Sequence, residues 1–247
     1  MEAKERLPNV IFDLDGTLVD SVGDLHAAVA RTLADEGAEP LPLEQIRSFI
    51  GNGIPVLIDR VMEARGEPAD PGRHAELLAR FMEHYSAASP PLTPVFPGVR
   101  EALQELVSAG SRLGVCTNKH AGLSRDILEG LELDSAFDAV VGGDSLPQRK
   151  PHPAPLLAAV QALGGGPAVY VGDSEVDAET SVAARLPFVL FLKGYRKTAI
   201  ELVPHDARFD DFTMLPELIR SMRSEEHTSD LQSDVCSSDL THIGGHV

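Results

Sequence analysis

The stretch "NVIFDLDGTLVDS" (residues 9–21) joins an apolar run directly to a pair of aspartates. Its first part, "NVIFDL", is short, apolar and ends in polar residues, which is typical of a strand buried on both faces of a parallel sheet. Asp13 and Asp15 then stand two residues apart, immediately before Gly16 and Thr17. Because ligands of open α/β sheets bind beyond the carboxyl ends of the strands, this stretch predicts a core strand with a functional site at its end.

Further β-rich runs alternate with helical patterns along the rest of the chain. Helical spacing is clear in "VREALQELVSAG" (residues 99–110) and "HPAPLLAAVQALGG" (residues 152–165). Strands that alternate with helices form βαβ units with right-handed crossovers, so we expect a Rossmann-like, doubly wound parallel sheet with helices on both faces. The other predicted strands are "RLGVCT" (112–117), "FDAVVGGD" (137–144), "AVYVGD" (168–173) and "PFVLFL" (187–192).

Between Asp20 and about Leu92 the pattern changes to one helix after another, with no convincing strand. "SVGDLHAAVARTLADEG" (residues 21–37) has apolar residues at helical spacing and Gly37 as a stop signal. The pattern predicts an inserted α-helical cap over residues 20–92 and an α/β core made of residues 1–19 and 93–222. The proline-rich "SPPLTPVFPGV" (residues 89–99) is expected to be the stiff return to the core.

From Arg223 the chain loses all apolar periodicity and becomes rich in Ser and Asp, as in "RSEEHTSDLQSDVCSSDL" (residues 223–240). This segment resembles a translated sequencing-library adapter followed by its reverse complement. The alternative is an ordinary disordered terminus. Under either interpretation we expect residues 223–247 to carry no function.

Composition limits the classes of function. The formal net charge of −17 argues against a nucleic-acid partner, because phosphate backbones are bound by clustered Lys and Arg. No apolar run approaches the roughly 18 residues of a membrane span, and "MEAKERLPNV" (residues 1–10) lacks the apolar stretch of a signal peptide. Two cysteines, Cys116 and Cys236, are too few for a disulfide framework. We expect a cytoplasmic protein, monomeric or homodimeric, with no membrane partner.

Polar side chains follow three of the predicted strands. Carboxylates at one site repel one another unless a hard cation neutralises them, and Mg²⁺ prefers oxygen ligands. A lysine and a threonine nearby can hold phosphate oxygens, while one carboxylate attacks phosphorus and another moves the proton. The candidate residues are Asp13 and Asp15 after the first strand, Thr117 and Asn118 after the second, Asp173 and Asp177 after "VYVG", and Lys150 before a helix.

Taken in order, "DLDGT" (13–17), "TN" (117–118), Lys150 before Pro151, and "GDSEVD" (172–177) resemble the four motifs of the haloacid dehalogenase superfamily in its phosphatase branch. The resemblance covers Pro8 to about Met222. It implies that Asp13 is the nucleophile and Asp15 the general acid and base. Mg²⁺ would be held by Asp13, Asp173 and the main-chain carbonyl of Asp15. Thr117, Asn118 and Lys150 would bind the phosphoryl group or substrate, and Asp177 would support Lys150 or the metal.

Within the family, the helical insert, "GNGIPVLIDRVM" (51–62), "VFPGV" (95–99) and "FVLFLKGYRKT" (188–198) are most similar to members that hydrolyse 2-phosphoglycolate. The resemblance places Asn52 of "GNG" on the cap face over the site; the alternative is a simple loop between helices. One departure is Arg185, where the family commonly has a glycine. We expect Arg185 to end its helix in the left-handed region, at a cost of about 1 kcal/mol.

Other interpretations remain open on the sequence alone. Asp13 with Asp15 can serve as turn or helix-capping residues, and Thr117 with Asn118 can cap the helix that begins near His120. A sugar phosphatase would keep all four motifs, and a phosphomutase would differ in its cap. A noncatalytic module of the same fold would have lost Asp13, Asp15 or Lys150. A dehalogenase is disfavoured, because a halide needs no proton from Asp15. Cys116 is expected to be a small buried strand residue.

Overall fold

The computed structural model describes residues 7–87 and 93–222, and residues 223–247 lie outside the described part. In these described residues, six strands form one parallel sheet in the order β3-β2-β1-β4-β5-β6, which is a doubly wound order. The doubly wound α/β prediction is therefore confirmed. The strands are β1 (Asn9–Phe12), β2 (Leu113–Cys116), β3 (Ala139–Val141), β4 (Ala168–Gly172), β5 (Phe188–Phe191) and β6 (Ala207–Phe209).

The sheet is covered on both faces because successive residues of β1 point in opposite directions. Val10 and Phe12 pack with Leu103 and other residues of α5 on one face. Ile11 packs with Leu156 of α7 on the other. The helices of the core are α5 (Val99–Ser108), α6 (Ala121–Gly130), α7 (Ala154–Ala162) and α8 (Glu175–Ala184), and residues 215–222 are also helical.

Four helices lie between β1 and the return of the chain to the core. They share a separate apolar cluster, in which Phe81 and Ile58 are among the largest fully buried side chains. No strand forms in the described residues 20–87, so the helical insertion is confirmed, although residues 88–92 of the predicted boundary lie outside the described part. The insert consists of α1 (Val22–Ala34), α2 (Leu43–Arg47), α3 (Ile54–Ala64) and α4 (Pro71–Ser86). We call these four helices and their loops the cap.

The two segments that connect cap and core run side by side. Val19 forms an antiparallel bridge with Val95, and the Asp20 N–H donates to the carbonyl oxygen of Pro94 at 2.9 Å. The Phe96 N–H donates to Leu18 in the same way at 3.0 Å. The cap thus leaves and rejoins the core at one place, beside the end of β1. Among the described residues, no helix is both long and apolar enough to cross a membrane.

Candidate active site

The site lies where the strand order reverses, between β1 and β4. Asp13 directly follows β1, and its N–H donates to Val171 of β4 at 2.9 Å. Asp173 directly follows β4, so the two carboxylates emerge from neighbouring strands at the same edge. This is the crevice at which doubly wound folds bind ligands.

Lys150 is the centre of the charge arrangement. Its buried ammonium lies 2.9 Å from Asp13 Oδ1 and 2.7 Å from Asp177 Oδ1. It also donates to the Tyr170 hydroxyl at 2.9 Å. Burial favours the neutral amine, but the two carboxylates outweigh it and raise the pKa of Lys150 above its ordinary value. Lys150 is therefore a fixed positive charge between two buried carboxylates.

Asp177 is almost fully engaged by hydrogen bonds. Its Oδ1 accepts from Lys150 and from Tyr170 at 2.8 Å, and its Oδ2 accepts from the hydroxyl of Ser174 at 2.6 Å and from the main-chain N–H of Ser174 and Asp173. Ser174 in turn caps α8, so the pair forms a capping box. Although burial opposes the charge, Lys150 lowers the pKa of Asp177. This geometry fits a residue that orients Lys150, and little of the carboxylate remains free for a ligand.

Asp173 is held by both the first motif and a later loop. Its Oδ1 accepts from the Thr17 hydroxyl at 2.8 Å, and its Oδ2 accepts from the Tyr195 N–H at 2.6 Å. Glycine is required on either side of it. A Cβ on Gly16 would lie 2.6 Å from Asp173 Oδ2, and one on Gly194 would lie 2.3 Å from the same oxygen. The backbone thus closes around this carboxylate.

Oxygen atoms of Asp13, Asp173 and Asp177 all lie within 4.8 Å of one another. Burial raises the pKa of Asp13 to about 7, against the opposing charge of Lys150. Burial, with the charges of Asp177 and Asp13, likewise raises the pKa of Asp173 well above its ordinary value. The cluster therefore suits a metal ion, because a hard divalent cation binds carboxylate oxygens and would offset this repulsion.

Thr117 and Asn118 lie at the end of β2, and both are buried. The Asn118 amide accepts from the Lys150 N–H at 3.0 Å and donates to the Lys150 carbonyl at 3.1 Å. Its Nδ2 also donates to the Gly51 carbonyl of the cap at 3.2 Å. Neither residue caps α6, whose first N–H is bound by Asp144 at 2.7 Å. The capping alternative for this pair is therefore wrong, and Asn118 fixes the Lys150 loop.

Two small cavities lie between cap and core at this edge. One, of about 30 Å³, is lined by Asp13, Asp15 and Thr117 from the core and by apolar cap side chains such as Leu25 and Leu57. The other, of about 20 Å³, brings Asn52 of the cap beside Asp13, Asp15 and Asp173. At roughly 10–15 Å³ per water, the first has room for about two to three water molecules and the second for about one to two. Both cavities therefore lie where the cap meets the carboxylates of the core.

Comparison with known proteins agrees with this geometry. The model of the haloacid dehalogenase-like hydrolase family matches residues 10–191. The chain belongs to this family. A phosphoglycolate phosphatase of Cereibacter sphaeroides is 55% identical over 216 residues, which cover 87% of this chain and 99% of the relative. A phosphoglycolate phosphatase of Rhodobacter capsulatus is 40% identical over 216 residues. These residues cover 86% of this chain and 96% of that relative.

Solved structures agree on the fold. A predicted phosphoglycolate phosphatase from Haemophilus somnus superposes with a TM-score of 0.80 at 29% identity, covering 88% of this chain and 99% of that one. The prediction of a haloacid dehalogenase-like phosphatase from four ordered motifs is confirmed. In this hydrolase the eight residues singled out in the sequence converge on one edge of the sheet: Asp13, Asp15, Asn52, Thr117, Asn118, Lys150, Asp173 and Asp177.

Sequence reasoning missed two residues of the hydrolase site. Lys119 is buried, and its ammonium lies 3.0 and 3.1 Å from the two carboxylate oxygens of Asp15. Burial opposes the charge, but Asp15 raises the pKa of Lys119 above its ordinary value. Tyr195 was missed as well, although its N–H binds Asp173. Position alone was the available signal for Lys119, because it directly follows "TN" at the end of a predicted strand.

Proposed function

We propose that this hydrolase is a Mg²⁺-dependent phosphatase that converts 2-phosphoglycolate to glycolate and phosphate through an aspartyl phosphate at Asp13. The observation that carries the proposal is the pair of carboxylates at the end of β1, each facing its own buried lysine. Asp13 lies 2.9 Å from Lys150, and Asp15 lies 3.0 Å from Lys119. The substrate is supported by the phosphoglycolate phosphatases that are 40% and 55% identical to the chain.

In the first half-reaction, a carboxylate oxygen of Asp13 attacks phosphorus, and the bond from phosphorus to the ester oxygen breaks. Asp15 gives its proton to that oxygen, so glycolate leaves as an alcohol. In the second half-reaction, Asp15 takes a proton from water, whose oxygen attacks phosphorus and breaks the bond to Asp13. Phosphate is released, and both aspartates return to their starting forms.

The remaining site residues orient one another and neutralise the charge of the phosphoryl group. The Lys150 ammonium and the Thr117 hydroxyl are placed to hold oxygens of the transferring phosphoryl group. Asp177 and Asn118 fix Lys150 from its side chain and its main chain respectively. Mg²⁺ would be held by Asp13, Asp173 and the main-chain carbonyl of Asp15, where its charge would offset the carboxylates and the phosphoryl oxygens.

We further propose a division of labour between two parts of the chain. The core, residues 1–19 and 93–222, supplies the chemistry. The cap, residues 20–92, recognises the small leaving group and excludes water. A cytoplasmic location and a monomeric or homodimeric state complete the proposal.

The test is a comparison of kcat/KM across small phosphate esters with the purified chain in Mg²⁺. We expect 2-phosphoglycolate to exceed glucose 6-phosphate and p-nitrophenyl phosphate, whereas a preferred sugar phosphate would contradict the substrate. Asp13→Asn should lose more than about 10³-fold in kcat with its circular dichroism unchanged. EDTA should abolish turnover and Mg²⁺ restore it, and full activity in metal-free buffer would refute the metal requirement.

A further inference from the structure

Lys119 pairs with Asp15 but has no role of its own in the two half-reactions described above. Its side chain is 2% exposed, and it follows Thr117 and Asn118 at the end of β2. Its ammonium spans both oxygens of Asp15 and lies 5.1 Å from the ring centre of Tyr85, a cap residue on α4. A buried lysine at this position joins the proposed general acid to the wall of the cap.

Among the described residues that line the larger cavity, Lys119 is the only Lys or Arg. Apolar cap side chains, including Leu25, Ile54 and Leu57, form much of the rest of the wall. In such surroundings an anionic group is bound only where a fixed cation offsets its loss of water. Within this cavity, Lys119 is therefore the residue that could bind an anionic group next to the ester bond.

The second lysine of the site is already committed. Lys150 donates to Tyr170 and contacts Asp13 and Asp177, so its ammonium already has three partners in the core. The carboxylate of 2-phosphoglycolate is two covalent bonds from the ester oxygen, and Asp15 has to reach that oxygen to protonate it. The substrate carboxylate is thereby brought to the neighbourhood of Asp15, where Lys119 lies.

We propose that Lys119 is a specificity-determining residue that binds the carboxylate of the substrate, an inference that rests on the proposed function. The ammonium then lies between two carboxylates, that of Asp15 and that of the ester. An ester with a neutral substituent in place of the carboxylate leaves this interaction unmade, and buried polar groups that lose a partner discriminate strongly between substrates.

The experiment compares 2-phosphoglycolate with 2-hydroxyethyl phosphate, which has a neutral hydroxyl in place of the carboxylate. Lys119→Met should lower the ratio of their kcat/KM values by roughly ten- to hundredfold, as expected for a lost charged hydrogen bond. Lys193→Met removes the same charge from an exposed position after β5 and should leave the ratio unchanged. Lys150→Met should lower kcat/KM for both substrates by the same factor.

An equal loss for both substrates in Lys119→Met would mean that Lys119 only positions Asp15, and it would overturn the inference. Unchanged kcat/KM values for both esters in Lys119→Met would overturn it too. If the wild-type chain itself shows no preference for 2-phosphoglycolate, the proposed function fails together with the inference. A wild-type preference that survives in Lys119→Met leaves the proposed function standing and removes only the role of Lys119.

Lys119→Met leaves the partly buried carboxylate of Asp15 without this partner, which can prevent folding. A second comparison avoids this by measuring calorimetric binding of the two esters to Asp15→Asn and to Asp15→Asn/Lys119→Met. The single variant should bind 2-phosphoglycolate at least tenfold more tightly than 2-hydroxyethyl phosphate, and the double variant should lose that advantage. An equal advantage in both variants would overturn the inference without any turnover being measured.

Discussion

Arg185 ends α8 with φ 56° and ψ 44°, in the left-handed region that favours glycine. The expectation from the sequence is confirmed at this residue. The conformation is imposed by the helix end, because the Leu186 N–H donates to the Ser181 carbonyl at 3.1 Å. A side chain there is strained, and Arg185 is exposed, so its removal sacrifices no packing.

Arg185→Gly should therefore raise the free energy of unfolding by about 1 kcal/mol, measured by urea denaturation. Glu179→Gly, at an exposed position inside the same helix, should lower it by about the same amount, because glycine disfavours a helix interior. Equal shifts of the same sign in both variants would refute the backbone explanation.

At the scale of single residues, the site residues that belong to a family motif were predicted from the sequence. Asp13, Asp15, Lys150 and Asp173 are of this kind, and each lies at the expected edge of the sheet. Lys119 was not predicted because a single lysine in a sequence is more often solvated. Its burial depends on Tyr85 of the cap, which is 34 positions earlier, and no local pattern reports that contact.

At the scale of elements, a network of ions connects three cap helices. Glu36, just after α1, accepts from Arg65 at 3.0 Å, from Arg73 at 2.5 Å and from Arg80 at 3.1 Å. The hydrogen bond from Arg73 comes first in lowering the pKa of Glu36, from 4.5 to about 2, while partial burial opposes the change. A carboxylate whose pKa is lower in the folded state stabilises the fold only while it is ionised.

The stabilisation from Glu36 should therefore be complete above pH 4.5 and decline as the pH falls toward 2. Glu36→Gln should lower the free energy of unfolding by about 1 kcal/mol at pH 7, and the difference from wild type should shrink below pH 4.5. Urea unfolding at pH 7, 5 and 3.5 measures this. Glu44→Gln is the control, since Glu44 is exposed and its carboxylate pairs with Arg47 at 3.4 Å. A constant difference at all three pH values would contradict the prediction.

The loop between α2 and α3 brings cap residues next to the carboxylates of the site. Asn52 lines the cavity beside the carboxylates, and its Oδ1 accepts from Arg60 at 2.9 Å. Gly53 has φ 88°, and a Cβ there would lie 3.1 Å from the Asn118 carbonyl, so glycine lets this loop approach the core. The position on the cap face, expected from the family resemblance, agrees with these contacts.

Asn52→Ala should lower kcat/KM for 2-phosphoglycolate by about tenfold and for p-nitrophenyl phosphate by much less, because the bulky ester makes fewer closed-cap contacts. Ser48→Ala in the same region should change neither, since its exposed hydroxyl binds only the Gln45 carbonyl. Equal losses of kcat/KM for both esters in Asn52→Ala would show that this loop does not recognise the leaving group.

The helices with long periodic patterns and the five apolar strands β1 to β5 were predicted from the sequence, whereas two short segments were not. Within the predicted helical insert, "LEQIRSFIG" (residues 43–51) continues the helical pattern, but α2 ends already at Arg47. Strand β6 (Ala207–Phe209) was missed, because three residues within "HDARFDD" hold too few apolar positions to show a period. Its strand conformation comes from pairing with β5, with Leu190 aligned to Arg208. Tertiary pairing decides such segments, and local propensity does not.

At the scale of the whole molecule, the fold sets the core edge that carries the carboxylates against a helical cap with its own apolar cluster. The reversal of strand order between β1 and β4 brings Asp13 and Asp173 together, and the cap is inserted at the next loop after Asp15. The cap therefore leaves the core within a few residues of the proposed nucleophile. Any shift of the cap is transmitted to the site over a short distance.

Tyr195 is the side chain that connects these two parts most directly. It belongs to the loop after β5, yet its ring packs in the apolar cluster of the cap. Its hydroxyl donates to Asp20 Oδ1 at 2.7 Å and accepts from the Val22 N–H at 3.1 Å, where the chain enters α1. Its main-chain N–H binds Asp173. One residue thus contacts the start of the cap and a proposed metal ligand.

Tyr195→Phe keeps the ring but removes both hydrogen bonds of the hydroxyl, leaving the buried Val22 N–H without this acceptor. We expect the free energy of unfolding to fall by about 1–2 kcal/mol, from denaturant titration. Because the cap is then held less firmly over the site, kcat/KM for 2-phosphoglycolate should fall several-fold, and that for p-nitrophenyl phosphate should fall less. Tyr195→Leu, which also removes the ring, should lower the free energy of unfolding further. A Tyr195→Phe variant with lower stability but unchanged kcat/KM for both esters would show that the hydroxyl only secures the fold, and that the cap is aligned by its apolar contacts.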